Sequence, residues 1–221
     1  MGEFGIRVQT QGIDWAMAVG RKDRLVNSYL AKKGEALEER NIAWVREPVR
    51  FLDPHTLQAD SRRVTASKVI VATGSKPNRP PIPGVEHTLD SAEILGLVEI
   101  PRRLVVIGGG IIAMEFASIF GHVGSQVSVL EALPAILQGT DDDVRNAIEQ
   151  AASGWNVTIH TSVKVTSITR SDGAASVTAD VGGQSPGSTR MWSCSRPAGG
   201  PASTASISTR SARASRKRGS P

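Results

Sequence analysis

The sequence has 221 residues, enough for one or two domains, and 39% of them are hydrophobic while only 4% are aromatic. It contains no run of about 18–20 uncharged apolar residues, which excludes a membrane-spanning helix. Its start has neither the basic nor the apolar segment of a signal peptide, so we expect a cytoplasmic protein without a membrane partner. The single cysteine, Cys194, excludes an internal disulfide framework, a cysteine-based zinc site and a redox pair within one chain.

The net charge of +5 is concentrated at one end of the chain. Residues 187–221 carry seven of the 26 basic residues and no acidic residue, which leaves residues 1–186 with a net charge of −2. Ser, Thr, Gly, Pro and Ala make up 24 of these last 35 residues, a composition that predicts a disordered basic tail. A nucleic-acid-binding arm is the alternative, but Trp192 is the only aromatic residue beside its arginines, so we expect no nucleic-acid partner.

The first part of the chain has one helical pattern followed by short strand patterns. Apolar residues at helix-like intervals predict a helix over residues 15–40. Strand-like runs follow at 42–45, 50–52 and 56–59. The run KVIVA at 68–72 predicts a buried strand of a sheet, since it is apolar and β-branched and ends at Thr-Gly-Ser.

A proline-rich connector over residues 76–102 separates this part from a second unit in which strands and helices alternate. The predicted strands cover residues 104–107, 126–130, 157–160, 163–169 and 175–181. The predicted helices cover residues 111–123 and 141–152. Such alternation is typical of an α/β fold with a parallel, doubly wound, Rossmann-like sheet.

Gly108, Gly110 and Ala113 form the pattern G-x-G-x-x-A between a predicted strand and a predicted helix. The first glycine permits a tight turn, the second lets the backbone approach a pyrophosphate, and Ala113 allows close packing of helix on sheet. The helix N-terminus then offers free N–H groups to the phosphates. The alternative is a structural strand–turn–helix unit without a ligand.

Glu131 ends the next predicted strand and indicates which nucleotide is bound. Its carboxylate can accept hydrogen bonds from the ribose hydroxyls of NAD, and it would repel the 2′-phosphate of NADP by about 1–4 kcal/mol at ~4 Å. Residues 132–144 contain no Arg or Lys to hold such a phosphate. Ala113 in place of a third glycine weakly favours NADP, but we expect the electrostatic contribution to dominate and NAD to be preferred.

Three segments of the sequence together resemble the FAD-dependent pyridine nucleotide–disulfide oxidoreductases. These segments are VIVATGSKPNRPPIPG, VVIGGGIIAMEFASIF and GSQVSVLE. Dihydrolipoamide dehydrogenases are the most similar branch, with glutathione and mercuric reductases as close relatives. The resemblance covers about residues 1–181. It implies an oxidoreductase fold in which residues 1–98 form a partial FAD-binding domain with its connector. Residues 99–186 would form an incomplete NAD-binding domain, and residues 187–221 the tail.

The resemblance also implies cofactor contacts. It gives Ile111 the place of the family's nicotinamide-pocket gate and Glu115 a place near the nicotinamide and flavin, with an ordinary exposed helix carboxylate as the alternative for Glu115. The neighbouring Ile112 is expected to contact NAD. Around FAD the resemblance places Thr73 and Gly74, together with the backbone of Val49, although Glu47 stands where the family usually has glycine. The four histidines fall outside any family motif, and we expect each to be a surface or loop residue.

Several parts of the family pattern do not occur in the sequence. It has no G-x-G-x-x-G fingerprint for FAD, no C-x-x-x-x-C redox pair, and no C-terminal domain with a His–Glu pair and dimer contacts. The family homodimer is therefore expected only for a full-length member. Reading residues 190–209 in a shifted frame permits a family-like closing strand, so we predict a fragment with a frameshift near residues 182–189. The function alternatives are a disulfide oxidoreductase, inactive as this fragment, and a non-catalytic NAD-binding module.

Overall fold

The computed structural model describes residues 12–171, 174–182, 189–194 and 204–205. The chain forms two compact units: one runs through Val19 and resumes at Lys76, and the other is Gly20–Ser75. The first helix, α1, covers Trp15–Glu39 and begins in the first unit. By this division the connector 76–98 packs with the second part of the chain. The domain boundary at residue 98 stays a prediction.

The unit Gly20–Ser75 consists of most of α1 and a three-stranded antiparallel sheet with the order β1-β2-β3. The strands are β1 (Val49–Asp53), β2 (Thr56–Ala59) and β3 (Arg62–Thr65). The helix and two of the three predicted strands are confirmed, whereas residues 42–45 form no strand and β3 was not predicted.

The predicted buried strand at 68–72 is wrong. These residues have no regular secondary structure, and Ile70 and Val71 are 91% and 67% exposed. A buried strand needs partners on its edges and cover on its faces. Among the described residues, no strand pairs with this segment.

The other unit is built around a five-stranded sheet with the order β4-β11-β5-β6-β7 and parallel pairing throughout. Its strands are β4 (Thr88–Leu89), β5 (Arg103–Ile107), β6 (Gln126–Leu130), β7 (Val157–His160) and β11 (Thr204–Ala205). Helices α2 (Ile111–His122) and α3 (Asp142–Ala152) connect β5 to β6 and β6 to β7. The predicted α/β fold with a parallel sheet is therefore confirmed.

The two faces of this sheet are covered differently. Leu104 and Val106 of β5 pack in the core that contains α2, whereas Val105 and Ile107 pack in a second core. The second core is formed with an antiparallel sheet of order β10-β9-β8, made of β8 (Val163–Ser171), β9 (Ala174–Val181) and β10 (Thr189–Cys194). Because both faces are covered, β5 is a continuous apolar run. A strict doubly wound sheet would carry helices on both faces, so the cover on the second face differs from the prediction.

The tail prediction is wrong for part of its length. Strand β10 pairs with β9 over its whole length, and Cys194 at its end is fully buried. Thr204 and Ala205 form a short parallel bridge to β4, and Ala205 also pairs with β5. Ladder hydrogen bonds and burial in the second core outweigh a composition typical of disorder. The remaining residues of the predicted tail, and most of the predicted frameshift region, lie outside the described residues.

The connector that leads into β5 is ordered by side-chain contacts. The Arg79 guanidinium contacts the carboxylates of Asp90 at 3.4 Å and Glu93 at 2.5 Å, and donates to the Thr88 carbonyl at 3.2 Å. The backbone N–H of Glu93 donates to Asp90, and this bond is the main cause that lowers the pKa of the Asp90 carboxyl. These contacts hold the connector against the start of the sheet.

Candidate functional site

The turn between β5 and α2 is shaped by its glycines. Gly108 has φ of +102°, a left-handed conformation that is strained for residues with a side chain. Its N–H donates to the carbonyl of Leu130 at 2.8 Å, which ties the turn to the end of β6. The predicted role of Gly108 as the residue that permits the turn fits this geometry.

The N-terminus of α2 follows directly. Gly110 is the N-cap with extended backbone and no side-chain cap. The N–H groups of Ile111, Ile112 and Ala113 belong to the first helical turn, where no earlier turn supplies carbonyl acceptors. Ala113 is fully buried, as close packing of helix on sheet requires, whereas Ile111 is 66% exposed. The turn therefore presents backbone donors and the positive end of a helix dipole, which suit a pyrophosphate.

Glu131 follows β6 and reaches back to the same turn. Its Oε2 accepts a hydrogen bond from the Gly109 N–H at 2.6 Å, and its Oε1 accepts one from the Leu133 N–H at 2.8 Å. The side chain is partly exposed. A carboxylate held beside a glycine turn is well placed to accept from ribose hydroxyls of a nucleotide whose pyrophosphate occupies that turn.

The structure brings together the residues predicted to bind NAD. They all lie in or beside the turn between β5 and α2. They are Gly108, Gly110, Ile111, Ile112, Ala113 and Glu131. Glu115 lies one helical turn beyond Ile111 and is exposed, which is compatible both with a cofactor contact and with an ordinary surface carboxylate.

The residues predicted to contact FAD do not form a pocket. Val49 begins β1 and is 55% exposed. Thr73 and Gly74 lie in a segment without regular secondary structure; both are exposed, and no atom lies within 4 Å of a Cβ built on Gly74. These residues alone therefore do not fit the demands of a flavin site, which must enclose most of its ligand.

Three residues that shape the turn were not identified from the sequence: Gly109, Ile136 and Leu137. Gly109 occupies a position that the fingerprint leaves open, yet a Cβ there would lie 2.7 Å from Ile136 Cγ2 and 3.1 Å from Glu131 Cβ. The Leu137 N–H donates to the Gly109 carbonyl at 2.8 Å. No local pattern reveals these contacts, because the partners are far apart in the sequence.

The expectation that all four histidines are surface or loop residues is wrong for His160. It ends β7, its backbone carbonyl accepts from the Glu131 N–H at 2.8 Å, and its ring packs edge-on against Trp192 with centroids 5.4 Å apart. Burial lowers the pKa of His160 from its ordinary value of 6.5, and Arg190 lowers it further.

We expect this histidine to make the fold sensitive to mild acid. Below pH 6.5 the unfolded chain binds a proton at His160 that the folded chain, with its lower pKa, does not bind. Stability is therefore retained above pH 6.5 and falls as the pH drops from 6.5 towards the folded pKa. Urea unfolding at pH 7.5 and pH 5.5 should show a smaller loss for His160→Gln than for the unmodified chain. An equal loss in both proteins would contradict this expectation.

Within the described ranges no three His, Cys, Asp or Glu side chains cluster as ligands for a metal ion. The helices of those same ranges are all too short or too polar to cross a membrane.

Comparison with known proteins identifies the family. The family model for pyridine nucleotide-disulphide oxidoreductase matches residues 16–202. The dihydrolipoyl dehydrogenase of Mycoplasma pneumoniae is 29% identical over 171 residues, which cover 74% of this chain and 37% of that protein. The mercuric reductase of Lysinibacillus sphaericus is 30% identical over 151 residues, 67% of this chain and 28% of that protein.

Solved structures agree with this comparison. The HOCl-induced flavoprotein disulfide reductase RclA from Escherichia coli superposes with a TM-score of 0.74 at 27% identity, over 90% of this chain and 43% of that one. The chain thus spans about a third of the length of the curated relatives it matches. The chain belongs to the pyridine nucleotide-disulphide oxidoreductase family.

Proposed function

We propose that this chain supplies the NAD(H)-binding part of a flavin-dependent disulfide oxidoreductase similar to dihydrolipoamide dehydrogenase. The observation that carries the proposal is the Glu131 carboxylate hydrogen-bonded to Gly109 within the glycine turn. Because the matched relatives are much longer, the activity, homodimer and cytoplasmic location of a whole protein are proposals by family. Bound NADH would supply a hydride for reduction of the flavin.

The residues of the turn would hold the nucleotide in distinct ways. Backbone N–H groups from Gly110 to Ala113 would bind the pyrophosphate, aided by the helix dipole. Glu131 would accept from the adenosine ribose hydroxyls. Ile111 is exposed beside the turn and would cover the nicotinamide, and Glu115, one helical turn further, would lie near the flavin in a complete enzyme.

We propose NAD rather than NADP as the nucleotide. The carboxylate of Glu131 carries the same sign of charge as a 2′-phosphate and is fixed by two backbone donors. The loop and helix start that follow, residues 132–144, offer no Arg or Lys to compensate. Repulsion at close range therefore favours the nucleotide without the extra phosphate.

We expect the purified chain to bind NADH, to be colourless, and to reduce neither lipoamide nor glutathione disulfide. Val49, Thr73 and Gly74 are exposed and form no flavin pocket. Cys194 is the only cysteine of this chain and is fully buried, so the chain cannot form the dithiol that passes electrons to a disulfide. Tryptophan fluorescence titration with NADH, absorbance near 450 nm after gel filtration, and NADH-dependent lipoamide reduction test the three expectations. A yellow, active protein would contradict the second and third, and absence of NADH binding would contradict the proposal itself.

The second candidate is a non-catalytic NAD-binding module, favoured by the exposure of Glu115, which is that of an ordinary surface carboxylate. A chimera distinguishes the two. Residues 104–181 would replace the matching segment of the Bacillus subtilis dihydrolipoyl dehydrogenase, a 29% identical relative. NADH-linked activity that Glu115→Ala lowers would support the oxidoreductase. A flavin-containing chimera that binds NADH without turnover would support the module.

A further inference from the structure

The segment that follows β6, residues 131–137, folds back over the glycine turn; we call it the clasp loop. Its last two residues are buried in the core formed with α2, with Ile136 fully buried and Leu137 7% exposed. Glu131 at its start and Leu137 at its end both bond the same residue of the turn. The clasp loop therefore contacts the turn at its two ends rather than at one point.

Gly109 is the residue held by both ends. Its N–H donates to Glu131 Oε2 at 2.6 Å, and its carbonyl accepts from the Leu137 N–H at 2.8 Å. Both backbone polar groups of Gly109 are thus fixed by protein atoms before any ligand binds. The adjacent Gly108 and Gly110 are fixed with it, because each shares a peptide plane with Gly109.

Ile136 closes the space beside Gly109. Its Cγ2 would lie 2.7 Å from a Cβ built on that glycine, so the methyl group occupies the volume a side chain would need. Branching at Cβ restricts χ1, and the full burial of Ile136 limits it further, so this methyl stays in place. Leu137 has φ of +51°, a conformation that a leucine adopts only where surrounding contacts enforce it.

We propose that Ile136 and Leu137 are positioning residues for the pyridine nucleotide. They hold Gly109 so that the N–H donors at the start of α2 face the pyrophosphate in the absence of ligand. The nucleotide then binds a turn that is already ordered, which lowers the entropy lost on binding. The inference rests on the proposed function for the identity of the ligand.

The experiment moves the contacting methyl while keeping side-chain size. Ile136→Leu removes the β-branch and hence Cγ2, whereas Ile136→Val retains Cγ2 and deletes only the terminal methyl. Ile94→Leu is the matched control, since Ile94 is equally buried in the same core. Each variant of the 221-residue chain is compared with the unmodified chain in melting temperature, in NADH dissociation constant, and in hydrogen exchange of the Gly109 and Leu137 amides without nucleotide.

We expect Ile136→Leu to weaken NADH binding about tenfold, about 1.4 kcal/mol, and to speed exchange at Gly109 and Leu137. Ile136→Val should keep both properties, and Ile94→Leu should lower the melting temperature without changing either. Equal NADH affinity in Ile136→Leu and the unmodified chain, or equal weakening in Ile94→Leu, would overturn the inference. If the unmodified chain binds no NADH, the proposed function fails. In that case the hydrogen-exchange rates of the Gly109 and Leu137 amides alone test the inference. Unchanged rates in Ile136→Leu would overturn it.

Discussion

We expect Glu131→Gln to narrow the preference of the chain for NADH over NADPH, and Glu131→Arg to reverse it. The carboxylate accepts a hydrogen bond from the Gly109 N–H, and we propose that the adenosine ribose of a bound nucleotide lies beside it. Removing its charge removes a repulsion of about 1–4 kcal/mol towards a 2′-phosphate. The ratio of the two dissociation constants should therefore change by at least about fivefold. Fluorescence titration of each variant with both nucleotides measures this ratio.

The ratio is the correct quantity because the substitution also affects the turn. Glu131 accepts from Gly109 and Leu133 through its two oxygens, and glutamine can accept through only one. Affinity for NADH alone should therefore fall in both variants. Glu149→Gln is a matched control, since it removes one charge from the exposed surface of α3 without reaching the turn. A preference for NADPH in the unmodified chain would contradict the assignment of NAD.

Local patterns were sufficient to predict the elements around the glycine turn. The apolar run of β5, the glycines after it and the helical spacing of α2 are adjacent in the sequence, and the structure contains them within one residue of their predicted bounds. Parallel pairing followed from the alternation of strands and helices. The family resemblance, carried by the same residues, is confirmed by the family-model match.

Features that depend on distant partners were not predicted. The segment 68–72 has the composition of a buried strand but no neighbouring strand among the described residues to pair with. Alternation along β8 and β9 predicted strands, yet not that they would cover the second face of the parallel sheet. The need for glycine at Gly109 arises from Ile136, a contact without a local pattern.

Gly121 shows the same dependence on distant contacts, and its substitution should strongly destabilise the fold. It lies near the end of α2, and a Cβ there would lie 2.0 Å from the Trp155 carbonyl oxygen and 3.0 Å from Val157 Cγ2. The oxygen belongs to the backbone and cannot rotate away, so α2 or the segment leading into β7 must move. Moving packed elements apart exposes the core that contains Phe120 and Val157.

We therefore expect Gly121→Ala to lower the free energy of unfolding by about 3 kcal/mol, at the upper end of overpacking effects. Gly154→Ala is the matched control, because no atom lies within 4 Å of a Cβ at that position. It should be neutral or stabilise the fold by up to about 1 kcal/mol, because alanine lowers the conformational entropy of the unfolded chain. Urea unfolding followed by tryptophan fluorescence compares the two variants at the same pH. Equal stability of the two variants would contradict this expectation. It would show that α2 and the segment leading into β7 can separate without loss, so that their close approach at Gly121 contributes nothing to the stability of this unit.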